Sequence, residues 1–155
     1  MGETGCGKTS LIIKLSQILN NGEKLVEKID INPCITDGYI INKMREMNEK
    51  SKTKKYENKD LWVFFDEINT CLSLSLFTEI FINRTFNGEK LEDNIRLIGA
   101  CNPYRYRKEN IERCGLTRED DEEDKRVYKV EQLPESLLYY IFSFGSLQDE
   151  NEKNI

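Results

Sequence analysis

The chain opens with Gly2-Glu3-Thr4-Gly5-Cys6-Gly7-Lys8-Thr9, which reads G-x-x-x-x-G-K-T. No other segment limits the fold as tightly. Three glycines let the backbone curl until successive N–H groups point inward at a chain of phosphates. Lys8 can then reach the β- and γ-phosphates of a nucleoside triphosphate, and the Thr9 hydroxyl can ligate Mg²⁺. The next stretch, SLIIKLSQILN from Ser10 to Asn20, is apolar at 11, 15, 18 and 19, the spacing of an amphipathic helix. A phosphate loop needs that helix, because its N-terminal dipole end and free N–H groups help bind the anion. A glycine-rich turn matching by chance would not bring it. Residues 2–10 therefore predict a nucleotide-binding site.

In folds of this kind the loop joins a buried strand to the helix, yet only Met1 precedes it here. The expectation is a sheet whose first strand is missing and a chain that is a piece of something larger. At 155 residues the length suits one domain. Net charge is −5, which gives no argument for non-specific nucleic-acid or membrane binding. The longest apolar runs are far too short to span a bilayer. Five cysteines (6, 34, 71, 101 and 114) never pair as C-x-x-C, and there is no histidine. Reduced thiols in a cytoplasmic protein without a zinc site are expected. Cys6 lies inside the loop, and it reads either as a low-pKa thiol near a helix N-terminus or as a small filler whose backbone N–H does the binding, the second being preferred.

Along the chain, residues 24–31 (KLVEKIDI) have the content of a strand ended by Asn32-Pro33. Ile40, Ile41, Met44 and Met47 form a helical stripe after Asp37-Gly38. Residues 50–60 are polar and lysine-rich, a solvated helix end and loop. LWVFF at 61–65 reads as a parallel strand buried on both faces. Leu76, Phe77, Ile80 and Phe81 mark a helix begun near Ser73, and IRLIGAC at 95–101 a further strand. A short last strand is expected at 127–130. A final helix is expected over Leu137, Leu138, Ile141 and Phe142, with Pro134 in its first turn and Gly145 past its end. Alternating strands and helices predict a parallel α/β sheet with crossover helices.

The LWVFF strand runs into Asp66-Glu67. At the C-terminal end of a parallel strand beside a phosphate loop, Asp66 would hold Mg²⁺ and Glu67 would deprotonate the water attacking the γ-phosphate. The next strand ends in Asn102-Pro103. An amide there would lie between the two motifs, within reach of both the γ-phosphate and the attacking water. A plain Asn-Pro turn is the competing reading. Together the three segments predict hydrolysis of a nucleoside triphosphate. A small-molecule kinase fits less well, since it must exclude water.

GETGCGKT, WVFFDEINTC, GACNPYR and LPESLLYYIFSFGSL resemble, in order from residue 2 to about 147, a AAA+ module. Within that class they are most similar to the mysterin family, giant RING-finger ubiquitin ligases with dynein-like AAA+ units. The resemblance implies a P-loop NTPase fold, a parallel sheet with helices on both faces. It also implies ATP and Mg²⁺ as ligands, with Lys8 and Thr9 on phosphate and metal, Asp66 and Glu67 as the Walker B pair, and Asn102 as the sensor-1 residue. The first strand and the helical lid are missing from the pattern, as is any RING-type cysteine cluster. Residues 1–147 would then be a partial AAA+ core and 148–155 a polar tail.

Such modules complete their sites with an arginine from a neighbouring module, in cis or in trans. Arg113, Arg118 and Arg126 lie in the appropriate stretch; an ordinary surface arginine beside the acidic run at 119–124 is the competing reading of each, and Arg126 is the preferred candidate because it borders the expected last strand. Three functions remain open at this level: an ATPase that rearranges a multi-module ring, a nucleotide-gated scaffold that hydrolyses little, and a remnant that does neither.

Overall fold

A computed structural model of the protein describes residues 1–2, 7–103 and 130–143. In chain order the elements are α1 (Lys8–Leu19), β1 (Val26–Asp30), α2 (Asp37–Ser51), β2 (Leu61–Asp66), α3 (Leu74–Thr78), β3 (Thr85–Phe86), β4 (Glu89–Lys90), β5 (Ile95–Gly99) and α4 (Glu135–Leu138). A five-residue π turn, Glu79–Asn83, continues α3, and 3₁₀ turns cover Lys54–Tyr56 and Ile68–Thr70.

The apolar run at 61–65 offers water nothing, so it lies in the middle of a sheet. β2 pairs in parallel with β1 on one side and β5 on the other, aligning Asp30 with Asp66 and Phe65 with Gly99. All five residues of the run are buried. Side chains alternate along a strand, so Leu61, Val63 and Phe65 share one face and Trp62 and Phe64 the other. The first face carries the main core. It includes Ile40, Met44 and Met47 from α2, Leu76 and Phe77 from α3, and Ile80 from the π turn. Both crossovers, β1 to β2 and β2 to β5, step the same way across the sheet. Right-handed connections therefore deliver α2 and α3 to the same side.

Local chemistry sets the ends of these elements. Thr36 caps α2 by accepting from the Tyr39 N–H at 3.4 Å, and Asp37 sits in its first turn. Phe65 meets Phe77 edge-to-face with ring centroids 5.2 Å apart, and Phe81 at 5.9 Å. Gly99 makes that packing possible. A Cβ there would lie 3.0 Å from Ile68 and 3.3 Å from Phe81.

Three expectations need correction, and one element is new. The 11/15/18/19 stripe of α1 is not buried: Leu11, Leu15, Ile18 and Leu19 are all exposed, and Ser16 is the buried residue of the helix. The helix forms, but its apolar face meets no core among the described residues. The polar stretch at 50–60 is not simply solvated. Ser51 and Tyr56 are buried, Tyr56 because the 3₁₀ turn folds its ring into the core. The final helix spans only Glu135–Leu138, since i→i+3 bonds from Tyr140 to Leu137 and from Ile141 to Leu138 tighten and end it. Leu137 is buried, whereas Leu138 and Phe142 are exposed. An antiparallel hairpin of β3 and β4, turned by Asn87 and Gly88 at φ 49° and 78°, was not anticipated.

The expected strand at 127–130 lies outside the described residues apart from Val130. So do Arg113, Arg118, Arg126, Cys6, Cys114, Gly145 and the tail at 148–155.

Phe65→Ala should cost about 3–5 kcal/mol, because it removes the central ring of an aromatic trio in a fully buried site. Urea unfolding of the variant beside the parent protein checks this. A loss below about 1 kcal/mol would mean that the site collapses without a cavity.

Candidate active site

Parallel strands bring their carboxyl ends to one edge of the sheet, and there the two strand-end motifs meet the start of α1. Gly7 caps α1 with φ 81°, a left-handed conformation that glycine adopts without strain. Lys8 and Thr9 open the helix. The Thr9 hydroxyl donates to Asp66 Oδ2 at 3.5 Å. The Lys8 ammonium donates to the Gly2 carbonyl at 2.6 Å, and the Gly2 N–H to the Cys101 carbonyl at 3.3 Å. Residues 3–6 of the loop lie outside the described residues, and Ser10 is exposed on the first turn of α1.

Beyond Asp66 the chain turns sharply. Glu67 sits at φ 60°, ψ 41°, a left-handed conformation that costs a non-glycine residue roughly 1–2 kcal/mol. The turn is held in place from several sides. Its carbonyl accepts from the Thr70 N–H at 3.0 Å and from the Thr70 hydroxyl at 2.9 Å, while the Ile68 N–H donates to the Ala100 carbonyl at 2.9 Å. The result aims the Glu67 carboxylate toward the end of the neighbouring strand. There the Asn102 side-chain amide donates to Glu67 Oε1 at 3.3 Å. Asn102 is itself buried.

Lys8, Thr9, Asp66, Glu67 and Asn102 thus come from three distant segments to one end of the sheet. Thr9 and Asp66 give a pair of hard oxygen donors, the donor type that suits Mg²⁺, which takes only one or two protein ligands when phosphates supply others. Among the described residues there is no group of three or more His, Cys, Asp and Glu suited to a metal. No described helix is long and apolar enough to cross a membrane.

Two contacts at the site were not foreseen. The Lys28 ammonium lies 3.0 Å from Asp66 Oδ2, the same oxygen that faces Thr9, and also pairs with Asp30. Those two carboxylates, Asp30 first, hold the Lys28 ammonium above its ordinary range. A cationic residue two places before the acid that aligns with Asp66 was the available signal. The other is Asn69, fully buried and bonded to the backbone of Asn102. The Cys101 and Cys71 thiols are pushed up by burial, and Cys34 is exposed.

Residues 1–105 match the family described as the RNF213 AAA domain. The chain belongs to that family. Over its whole length it is similar to much longer relatives. It is 34% identical to the E3 ubiquitin-protein ligase RNF213 of Mus musculus over 173 aligned residues, 99% of this chain and 3% of that protein. Against RNF213 of Homo sapiens the identity is 32% over 99% of this chain, and against rnf213-beta of Danio rerio 32% over 98%. The chain spans about 3% of the length of these relatives. It is a mysterin-like AAA module, and its parallel three-stranded sheet with flanking helices fits the P-loop NTPase fold.

Backbone strain at Glu67 gives a test that needs no ligand. Glu67→Gly should be about 1 kcal/mol more stable than Glu67→Ala, since both lose the carboxylate and only glycine accepts φ 60° freely. Denaturant midpoints of the two variants decide it. Equal midpoints would show that the turn relaxes without cost.

Proposed function

We propose that this chain is the nucleotide-binding core of a AAA ATPase module that binds and hydrolyses ATP within a larger ubiquitin ligase. The ligase chemistry itself resides elsewhere in the parent. The observation that carries this reading is the contact of the Asn102 amide with Glu67 Oε1 at 3.3 Å, beside the Thr9–Asp66 pair at 3.5 Å. A strained turn that holds a carboxylate against an amide, next to two oxygen donors and a helix N-terminus, suits water attack on a phosphoryl group.

In this proposal the loop N–H groups and the start of α1 bind the phosphates, and Lys8 adds a charge-assisted contact to them. Thr9 and Asp66 would hold Mg²⁺. Bound there, the ion neutralises charge on the β- and γ-phosphate oxygens. Glu67 accepts the proton of the attacking water, and Asn102 orients Glu67 while offering an N–H to the γ-phosphate. An arginine from a neighbouring module, with Arg126 the preferred donor in this sequence, stabilises the transition-state charge.

The sheet supports a further detail. Among the described residues β5 pairs on one side alone, and the apolar face of α1 is exposed. Both features fit a core, residues 1–147 with a polar tail at 148–155, whose loop-bearing strand and helical lid belong to the parent protein.

Lys8→Ala should weaken binding of a fluorescent ATP analogue, while Glu67→Gln should bind it normally and release phosphate ~10²–10⁴-fold more slowly, the usual cost of losing a general base. Equilibrium binding and phosphate release, measured on both variants of the full-length protein, separate the outcomes. Normal binding with phosphate release indifferent to Glu67→Gln would favour a nucleotide-gated scaffold over an ATPase.

A further inference from the structure

We propose that Asn69 is a positioning residue of the hydrolytic site, which sets the direction of the Asn102 side chain and so the Glu67–Asn102 contact. The proposal rests on the ATPase reading above and deepens it. Asn69 has no exposed surface and lies two residues beyond Glu67, in the same pinned turn. Its side-chain amide donates to the Asn102 carbonyl at 2.9 Å, and its side-chain oxygen accepts from the Asn102 N–H at 3.1 Å. One side chain therefore grips both backbone polar groups of a single residue, as a paired strand would.

The geometry makes that grip consequential. With its N–H and C=O both fixed, Asn102 has little freedom in the direction of its Cα–Cβ bond, and its amide nitrogen falls 3.3 Å from Glu67 Oε1. Glu67 is fixed by the same turn through Thr70, and Ile68 adds a tie to Ala100 on the same strand. Both partners of the Glu67–Asn102 contact are thus referenced to one short segment. A buried apolar residue of similar size would fill the space and leave the strand end without this reference. Among the described residues a similar device recurs. Asn48 donates to the Lys90 carbonyl at 3.1 Å and accepts from the Glu92 N–H at 2.9 Å, fastening the end of the hairpin to α2. At Asn48 the two groups belong to different residues of a connecting segment. At Asn69 they belong to the one residue that faces Glu67.

Asn69 also offers its backbone carbonyl to the Glu131 N–H at 2.7 Å, so the segment leading into α4 is tied to the same turn. A rearrangement of that segment would act on the site through Asn69.

The test compares Asn69→Leu and Asn69→Asp with Asn102→Ala, alone and combined, in the full-length protein. Leucine removes both hydrogen bonds at similar volume. Aspartate keeps the acceptor and loses the donor. Displacing Asn102 should lower kcat by about tenfold or more while nucleotide affinity stays within about threefold, because small misplacements of catalytic groups cost that much. In the Asn102→Ala background Asn69→Leu should add less than about twofold, since two residues acting as one unit do not add. Should the leucine variant fail to fold, the aspartate variant carries the comparison. Unchanged kcat, a matched fall in affinity and kcat, or fully multiplicative losses would each overturn the proposal. Amide hydrogen exchange gives an independent reading without turnover. Exchange at the Asn102 N–H should quicken by about tenfold or more in Asn69→Leu, which removes its acceptor, and by less than about threefold in Asn69→Asp, which keeps it, while Phe64 and Phe65 keep their protection. If the parent protein releases no phosphate at all, the ATPase reading falls by itself. Unaltered exchange at Asn102 in Asn69→Leu would separately remove Asn69 from any positioning role.

Discussion

The turn at 66–70 is the constraint on which the rest of the site depends. It follows the most apolar strand of the chain, whose five consecutive buried residues fix it in the sheet without freedom to slide. Because the strand is immobile, its C-terminal end is a fixed origin. Asp66 leaves that origin toward α1, and Glu67 is thrown by a left-handed backbone toward β5. Such a conformation persists only where surrounding bonds over-determine it. Thr70, Ala100 and Asn102 do so here, and Thr70 further reaches the Ile31 carbonyl beyond β1 at 3.4 Å. The three strand ends are therefore joined by side chains of one short turn, and the acidic pair inherits its geometry from core packing.

Charge at this edge is balanced more finely than the motifs suggest. Asp66 faces a hydroxyl and an ammonium at one oxygen, so part of its charge is offset locally by an ammonium it shares with Asp30. Lys28 can do this because β1 and β2 run in register, which puts Asp30 beside Asp66 and leaves Lys28 on the same side of β1 as both acids. The pair is partly exposed, so its contribution to stability is small and screened by salt. Its significance lies in fixing where positive charge resides along the sheet edge.

Much of this was legible in the sequence because the signals were chemical as well as periodic. The continuous LWVFF run could only be a central parallel strand, and the acids and amide that follow two strands had to share an edge once the sheet was parallel. The hairpin was missed although Asn87-Gly88 is a strong turn dipeptide, because its strands are two residues long and carry no alternation. Asn69 was passed over because an asparagine in a turn is ordinary, and only the tertiary fold shows that its amide is spent on Asn102. Tyr56 was hidden inside a lysine-rich stretch whose charge dominated the reading. The last helix was overextended because aromatic residues at helical spacing continue past Leu138, where i→i+3 bonds have already closed it.

Helix α1 presents a conflict between pattern and structure of another kind. Its sequence spacing is that of a helix with a buried face, yet Leu11, Leu15, Ile18 and Leu19 are between 42% and 66% exposed. Fully burying such a side chain is worth roughly 1.5–3 kcal/mol, so covering what is exposed of the four would yield on the order of 3–6 kcal/mol. A whole domain is stable by only ~5–15 kcal/mol. The helix that carries Lys8 and Thr9 therefore has a large fraction of a domain's stability waiting on whatever meets its outer face. Within the described residues the helix is held at its start through Gly7 and Thr9, and near its end through the buried Ser16, which accepts from the buried Asn20. Covering the stripe would add contacts along the outer face of the helix. The stripe and the Thr9 end of α1 belong to one rigid rod. The rod is short, since only two and a half turns separate Ile18 from Thr9 at about 3.6 residues per turn.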